Sequence, residues 1–399
     1  MKNNYSKSDV NPFMTFGKMP IANGFLGQKD FDKEFFFEMK VGFDETLSLF
    51  QLLEHPKPEM MFNENYPFFT QSSKFMIKHF EDYAKWVKQR FFNNTKKIIE
   101  IGSNDGTFLQ NFTKDNLEVY GFEPSKNVSD IAKTKGINSI NDFFNSETIT
   151  QIKNYKNNID IIIAANVICH IPNIKELFKT IEQSLSKKGV FIFEEPYLGS
   201  MMKKVSYDQI YDEHVYIFSV SAINKISKNY GLRLIDVLEQ STHGGSMRYV
   251  IGRDGEHVIN KSVDLKLTEE KKINLDNIES CKEFKKNCET SKKNLRSKIL
   301  NIKNDGKKIC GYAATSKSTT ILNYCDLGSD LIDYICDTTY EKIGKFSPGK
   351  HIPIKDINYF YENPPDVAFL FAWNHKNEIF AKEQSFSKKG EWIAHVDLK

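Results

Sequence analysis

IIEIGSNDGTFL, residues 98–109, joins a short apolar run to a turn with glycine at both ends. A strand over Ile98–Ile101 runs into Gly102, passes Ser103, Asn104 and Asp105, and reaches Gly106, where a helix is expected to begin. The two glycines let the backbone turn and approach a ligand without a Cβ clash. The pattern recurs outward along the chain. NLEVYGFEP (116–124) is a second strand ending in Gly and acid, NIDIIIAANV (158–167) a third, and GVFIFEEP (189–196) a fourth. The third is almost continuously apolar, as a central parallel strand should be. Helix candidates at 125–136 and 173–187 lie between them, so residues 81–262 read as α/β.

The flanks read differently. Residues 1–80 are irregular and rich in Phe, Met, Asn and Pro. Across 263–304, Cys281, Cys288, Leu295 and Ile302 recur every seven residues, which predicts a docked linker helix with core cysteines. Lys285 and Lys292 interrupt a second seam and exclude a coiled coil. Residues 305–399 restart an α/β pattern: KKICGYAA, LIDYICD and DVAFLFAW are strands and STTILNYC a helix. A chain of 399 residues fits two or three domains. Its 55 basic and 52 acidic residues leave a net charge of only +3, which argues against a nucleic-acid binder. No run reaches the ~18 apolar residues of a membrane span. MKNNYSKSDV lacks the apolar core of a signal peptide. The six cysteines form no CxxC pair, so neither a zinc site nor a disulfide framework is expected, and a reducing cytoplasm is the simplest location.

The turn after the first strand is ExGxxxG, not the GxGxxG that cradles a pyrophosphate. Glu100 and Asp105 favour a cationic, phosphate-free ligand, and S-adenosylmethionine is one. Glu123, 21 residues after Gly102 and followed by Pro124, is placed to accept both ribose hydroxyls. Asp142 and Phe143 offer a carboxylate and an aromatic face to the adenine. Gly102, Ser103, Asn104 and Gly106 complete this predicted donor site, and a Rossmann-like domain for another nucleotide is the bland alternative.

Together with EIGSNDGTFL and GFEPS, the strings ANVICHIPN, FEEPYLGSM, YDEHVYIF, THGGSMR, GYAATSKSTT and PGKHIPI resemble the sugar C-methyltransferases, over residues 15 to 380. The YxEH string with its aromatic pair and HGGSMR are the most specific. The resemblance implies methylation at C3 of a nucleotide-linked 4-keto-6-deoxysugar by a monomer. It also implies a substrate-capping domain (1–80), a Rossmann-like class I methyltransferase domain (81–262), the linker helix (263–304) and a C-terminal α/β domain holding the nucleotide sugar (305–399). One departure is plain. Members carry two CxxC pairs around a structural zinc, whereas no Cys precedes Cys169, and Asp44 and Leu47 stand at expected cysteine positions. No metal is therefore predicted, and packing must replace what zinc contributes to folding.

Carbon methylation needs a base at C3, a donor to the C4 oxyanion and exclusion of water. His214 is the leading base, because neutral imidazole is available near pH 7. Glu213 orients it, and Tyr211 and Tyr66 offer hydroxyls to the oxyanion. The resemblance puts Asn166 and His170 in the same pocket, Asn166 at the donor as well, and makes His170 a rival base. His243 shapes a loop, Gly244 and Gly245 allow backbone approach to a ligand, and Arg248 is a candidate for phosphate. Ser316, Lys317 and Thr319 open a helix suited to phosphate, although Ala313 and Ser318 stand where the family usually has Gly. Trp373 either stacks on a base or closes a core. Three alternatives stay open: an oxygen or nitrogen methyltransferase, an inactive nucleotide-sugar-binding homologue, and an oxidoreductase, which the absence of GxGxxG in residues 305–399 disfavours.

Overall fold

The computed structural model describes residues 10–64 and 66–398; the leader reading of residues 1–9 lies outside them. The N-terminal stretch, read as irregular, forms antiparallel strands β1 (Pro12–Pro20), β2 (Phe36–Asp44) and β3 (Leu49–Leu52). Alternation does not show in the sequence for two reasons. Register shifts interrupt β1 at Pro12/Met14 and Thr15/Gly17, and β3 and the end of β2 are buried on both faces. Asp44 and Leu47, at the expected cysteine positions, close the β2–β3 hairpin: Asp44 Oδ1 accepts from the Leu47 amide at 3.1 Å. This Asx turn fixes the hairpin locally.

After the short helix α1 (Pro58–Met61), helix α2 (Lys74–Phe91) begins at Ser73, whose hydroxyl accepts from the Met76 amide. Met76, Phe80, Tyr83, Ala84 and Val87 form its buried stripe and pack on the sheet behind it. That sheet contains β4 (Lys97–Ile101), β5 (Glu118–Phe122), β6 (Asn138–Ile140), β7 (Ile159–Ala165) and β8 (Leu185–Pro196), with α3 (Lys126–Thr134) and α4 (Ile174–Ser184) as crossovers. The turn after β4 leads to a 3-10 turn at Leu109–Phe112, not to the expected helix. Beyond α5 (Leu198–Lys204), β9 (Tyr216–Ile217) leaves this unit and pairs with β3. The YDEH string therefore ties the N-terminal sheet to the middle of the chain. After α6 (Val220–Lys228), β10 (Leu232–Gln240) and β11 (Ser246–Arg253) close the large sheet in the order β10-β11-β8-β7-β4-β5-β6. Strands β8, β7, β4, β5 and β6 are parallel, β11 runs antiparallel to both its neighbours β10 and β8, and the strand order reverses between β4 and β7.

The expected single linker helix is two, α7 (Lys261–Lys272) and α8 (Ile278–Asn304). The break has a local cause: Asn274 takes φ 54° and Asn277 caps the new helix through the Glu279 amide. Cys281, Cys288, Leu295 and Ile302 are buried along α8, joined by Phe284, Ser291 and Ile299. A third, all-parallel sheet follows, β12 (Ile309–Tyr312), β13 (Tyr334–Asp337), β14 (Ile354–Asp356), β15 (Val367–Leu370) and β16 (Glu391–Ile393), in the order β14-β13-β12-β15-β16. Its switch point lies between β12 and β15, and α9 (Ser316–Tyr324) starts just beyond β12. No helix is long and apolar enough to cross a membrane among the described residues.

Candidate active site

Ligands of open parallel sheets sit at the carboxyl edge, where strand order reverses. Here two such crevices face each other across a single cavity of about 1110 Å³. On one side stand the loops after β4 and β7, on the other the loops after β12 and β15. Phe62, residues 66–70 and the YDEH string close it between them. That volume exceeds a usual single-ligand pocket and leaves room for two.

At the end formed by β4 and β5, Glu100, Gly102, Ser103, Asn104, Glu123, Pro124 and Phe143 line the cavity. Gly102 takes φ 68°, and its amide donates to the Phe122 carbonyl, which pins the turn to β5. Glu123 accepts from the amides of Asn104 (2.9 Å) and Ser125 (2.8 Å), one on each oxygen. Burial pushes the Glu100 carboxyl well above its ordinary value, reinforced by Asp105 and Glu123. Burial also raises Glu123, against the amides it accepts. Glu100 Oε2, the Ser103 hydroxyl and Asn166 Oδ1 are buried without partners. No cation pairs with Glu100 or Glu123 among the described residues. Unpaired buried carboxylates are costly, and a cationic ligand removes that cost. The unpartnered acidic and polar groups at this end therefore fit a cationic ligand such as S-adenosylmethionine.

Three sequence assignments at this end need correcting. Asp105 is fully buried away from the cavity, where it accepts from the Gln71 and Thr107 amides and the Thr107 hydroxyl and lies 3.6 Å from Lys135 Nζ. It builds the turn and ties it to the segment before α2. Gly106 also points away, since a Cβ there would lie 2.3 Å from Ile137 Cδ1. Asp142 lines a shallower neighbouring pocket instead, while Phe143 borders both.

The middle of the cavity carries Tyr66, Asn166, His170, Tyr211, Glu213 and His214. Asn166 leaves β7 in a left-handed conformation (φ 55°), and His170 ends the 3-10 turn Ile168–His170. Three rings stack in series. Phe62 and His170 are 5.4 Å apart, and His170 and His214 5.3 Å. The His214 ring is held at both nitrogens, Nδ1 at 2.7 Å from the Gln209 carbonyl and Nε2 at 2.7 Å from the Tyr211 hydroxyl. A carbonyl only accepts, so Nδ1 carries the proton and Nε2 accepts from Tyr211. Burial, then His170, drives the His214 pKa well below the ordinary value, and burial takes His170 to about 3. Both imidazoles are thus neutral at physiological pH. Burial raises Glu213 to about 7, against the Asn23 amide that donates to it at 2.7 Å.

Sequence reasoning missed Glu195 as a site residue. At the end of β8, its Oε1 accepts the amides of Val167 (2.9 Å), Ile168 (2.6 Å) and Cys169 (3.3 Å), and so fixes the loop bearing Asn166 and His170. The FEEP string was its signal: a carboxylate ending a central strand. Phe62, Asn23 and Lys342 were also missed, having no distinguishing neighbours in sequence.

The far end is cationic. Ser316 and Lys317 line it at the start of α9, with Lys342, His243, Asn374 and His375. Lys317 Nζ donates to Asn374 Oδ1 at 3.2 Å, and Lys342 Nζ to the Ala314 carbonyl at 2.8 Å. Burial lowers both lysines. Ala313 takes φ 72°, the conformation for which glycine is usual, at about 1–2 kcal/mol. Ser318 completes a capping box with Thr315.

Four substrate assignments do not reach the cavity. Arg248 is buried behind β8, paired with Glu194 and stacked on Tyr83 at 3.6 Å. Thr319 turns the other way and donates to the Ala22 carbonyl. Gly244 and Gly245 take positive φ, and a Cβ on them would strike Trp373 and Ser200 respectively, so they serve packing. Trp373 closes that core, donating to Asp208 at 2.6 Å.

Known proteins point the same way. A methyltransferase domain family matches residues 75–237, and the family described as "C-methyltransferase C-terminal domain" matches 241–396. The C-methyltransferase NovU of Streptomyces niveus is 28% identical over 380 residues, covering 94% of this chain and 90% of that one. The chain is an S-adenosylmethionine-dependent methyltransferase, similar to the C-methyltransferases. The chain is also similar to the carboxy-S-adenosyl-L-methionine synthase of Nautilia profundicola, 26% identical over 196 residues, 46% of this chain and 72% of that one. A methyltransferase structure from Thermotoga maritima matches 45% of this chain and 91% of its own length, at 16% identity and a TM-score of 0.35.

Proposed function

We propose that this methyltransferase methylates C3 of a nucleotide-linked 4-keto-deoxysugar through an enolate, with His214 as general base. One observation carries the reading. A single cavity has an acidic end suited to the methyl donor, a cationic end suited to a diphosphate, and between them a neutral imidazole with an unprotonated nitrogen. The start of α9, with Lys317 and Lys342, would hold the diphosphate and place the sugar beside His214. The Gln209 carbonyl fixes the tautomer and orients Nε2, and the Tyr211 hydroxyl, now donating to Nε2, moves to the C4 oxygen when substrate enters. His214 Nε2 then takes the C3 proton while the electron pair of the C3–H bond passes to the C4 oxygen, which Tyr211 stabilises. S-adenosylmethionine bound at the acidic end would supply an electrophilic methyl group on a cationic sulfur, the sulfur being the neutral leaving group. The stacked Phe62 and His170 rings keep water from the base.

The test is a panel of nucleotide-linked 4-keto-6-deoxysugars with methyl-labelled donor, the product carbon located by NMR. Label on C3 supports the proposal; label on oxygen or nitrogen, or donor binding without turnover on any member, contradicts it.

A further inference from the structure

A buried thiol just behind the cavity approaches two imidazoles of its wall. Ligand atoms of Cys169, His170 and His214 all lie within 4.8 Å of one another. One thiolate and two imidazoles, with a fourth position open to substrate or water, is a donor set that zinc accepts. The surroundings fit that use independently of the spacing. Metal-binding histidines characteristically donate their second ring proton to a carbonyl or carboxylate, and His214 Nδ1 does so to Gln209. That leaves Nε2, which now accepts from the Tyr211 hydroxyl, as the nitrogen with a lone pair to offer a metal. His170 Nε2 is buried without a partner. The Cys169 thiol lies beside the Glu195 carboxyl, which can accept its proton on ligation.

We propose that Cys169, His170 and His214 form a binding site for a thiophilic divalent cation, Zn²⁺ being the natural occupant, and that its binding switches methyl transfer off. The second half rests on the proposed role of His214, because the metal takes the lone pair that would remove the C3 proton. Binding forms one metal–sulfur and two metal–nitrogen bonds, releases the thiol proton to Glu195 and solvent, and changes no oxidation state. It displaces the Tyr211 hydroxyl from Nε2. Ligand atoms around tetrahedral zinc stand about 3.5 Å apart, so side chains must close by roughly 1 Å. Cys169 itself is buried, does not line the cavity and has no part in the proposed chemistry.

The test uses the full chain, stripped with chelator and titrated with Co²⁺. One equivalent should give tetrahedral visible bands and a near-ultraviolet thiolate-to-cobalt band, both abolished by Zn²⁺. Cys169→Ala should lose the thiolate band and bind at least tenfold more weakly. It should keep basal methyl transfer while resisting at least tenfold more Zn²⁺. Cys169→Ser, checked by thermal melting, serves should the alanine variant fold poorly. Absence of a thiolate band in the wild type, or its persistence in both variants, overturns the site. This readout needs no sugar, so it is separable from the proposed reaction. A cobalt site with undiminished methyl transfer in Zn²⁺ overturns the switch and the assignment of His214 as base, leaving the site itself standing.

Discussion

Replacing Glu100 by Gln should weaken S-adenosylmethionine binding about 10- to 150-fold without destabilising the protein. The carboxyl is buried, its Oε2 lacks a partner, and Asp105 and Glu123 surround it with like charge. A cation at about 4 Å would gain roughly 4 kcal/mol at an effective dielectric constant near 20. Part of that gain goes into ionising a carboxyl whose pKa burial raises. The net should resemble a hydrogen bond to a charged group, about 1.5–3 kcal/mol, which gives the stated range. Stability should move the other way. A carboxyl whose folded-state pKa stands above its unfolded value binds its proton more tightly when folded. Stability therefore falls as pH rises from the unfolded pKa of about 4.3 through the folded one. Glutamine removes that loss, so the melting temperature at pH 8 should equal or exceed the wild type's. Donor affinity of the wild type should rise with pH as Glu100 ionises, and the variant's should stay flat. Titration calorimetry across pH, paired with thermal melts, reads both. Binding within twofold of wild type, or affinity lost together with melting temperature, refutes the reasoning.

Lys317→Met should raise KM for the nucleotide sugar tenfold or more, by loss of a charged hydrogen bond to phosphate, with the donor Kd unchanged; an unchanged KM contradicts the cationic end as the diphosphate site. Tyr211→Phe should slow kcat about a hundredfold with KM little altered, measured at saturating substrate; an unchanged kcat would remove Tyr211 from the chemistry. Arg248→Ala should cost about 3–5 kcal/mol in denaturant unfolding, because it leaves buried Glu194 with His79 alone, while donor affinity of the folded fraction holds. Burial opposes ionisation of Glu194, but His79 and Arg248 outweigh it and hold its carboxyl below the ordinary value. The stabilisation is thus present above the unfolded pKa and lost as pH falls through the folded one. The variant should accordingly unfold in acid at a higher pH than the wild type.

The acidic end of the cavity was legible because its geometry is local. One strand, one glycine turn and an acid at the end of the next strand bring Glu100, Gly102 and Glu123 to one sheet edge, whatever the rest of the chain does. The same adjacency misled at Asp105 and Gly106. Both belong to the turn, but they face its inner side, where Thr107, Lys135 and Ile137 are waiting. Arg248 shows a different limit. A lone arginine after a glycine pair looks like a phosphate ligand, yet strand alternation sends it to the opposite face of β11, against Glu194, Tyr83 and Trp86. Thr319 follows Lys317 by two residues on α9, and that rotation carries it from the cavity to Ala22. The pairing of β9 with β3 joins residues more than 160 apart, which no window of sequence contains. Glu195 needed the fold as well, since its role depends on the loop after the neighbouring strand β7.

The central claim is that His214 removes the C3 proton. Wild-type protein incubated in D₂O with nucleotide-linked 4-keto-6-deoxysugar should incorporate deuterium at C3. His214→Ala should slow that exchange by about 10²–10⁴ and leave the donor Kd unchanged. Exchange at the wild-type rate in the variant, with His170 intact, would contradict the account and pass the role of base to His170.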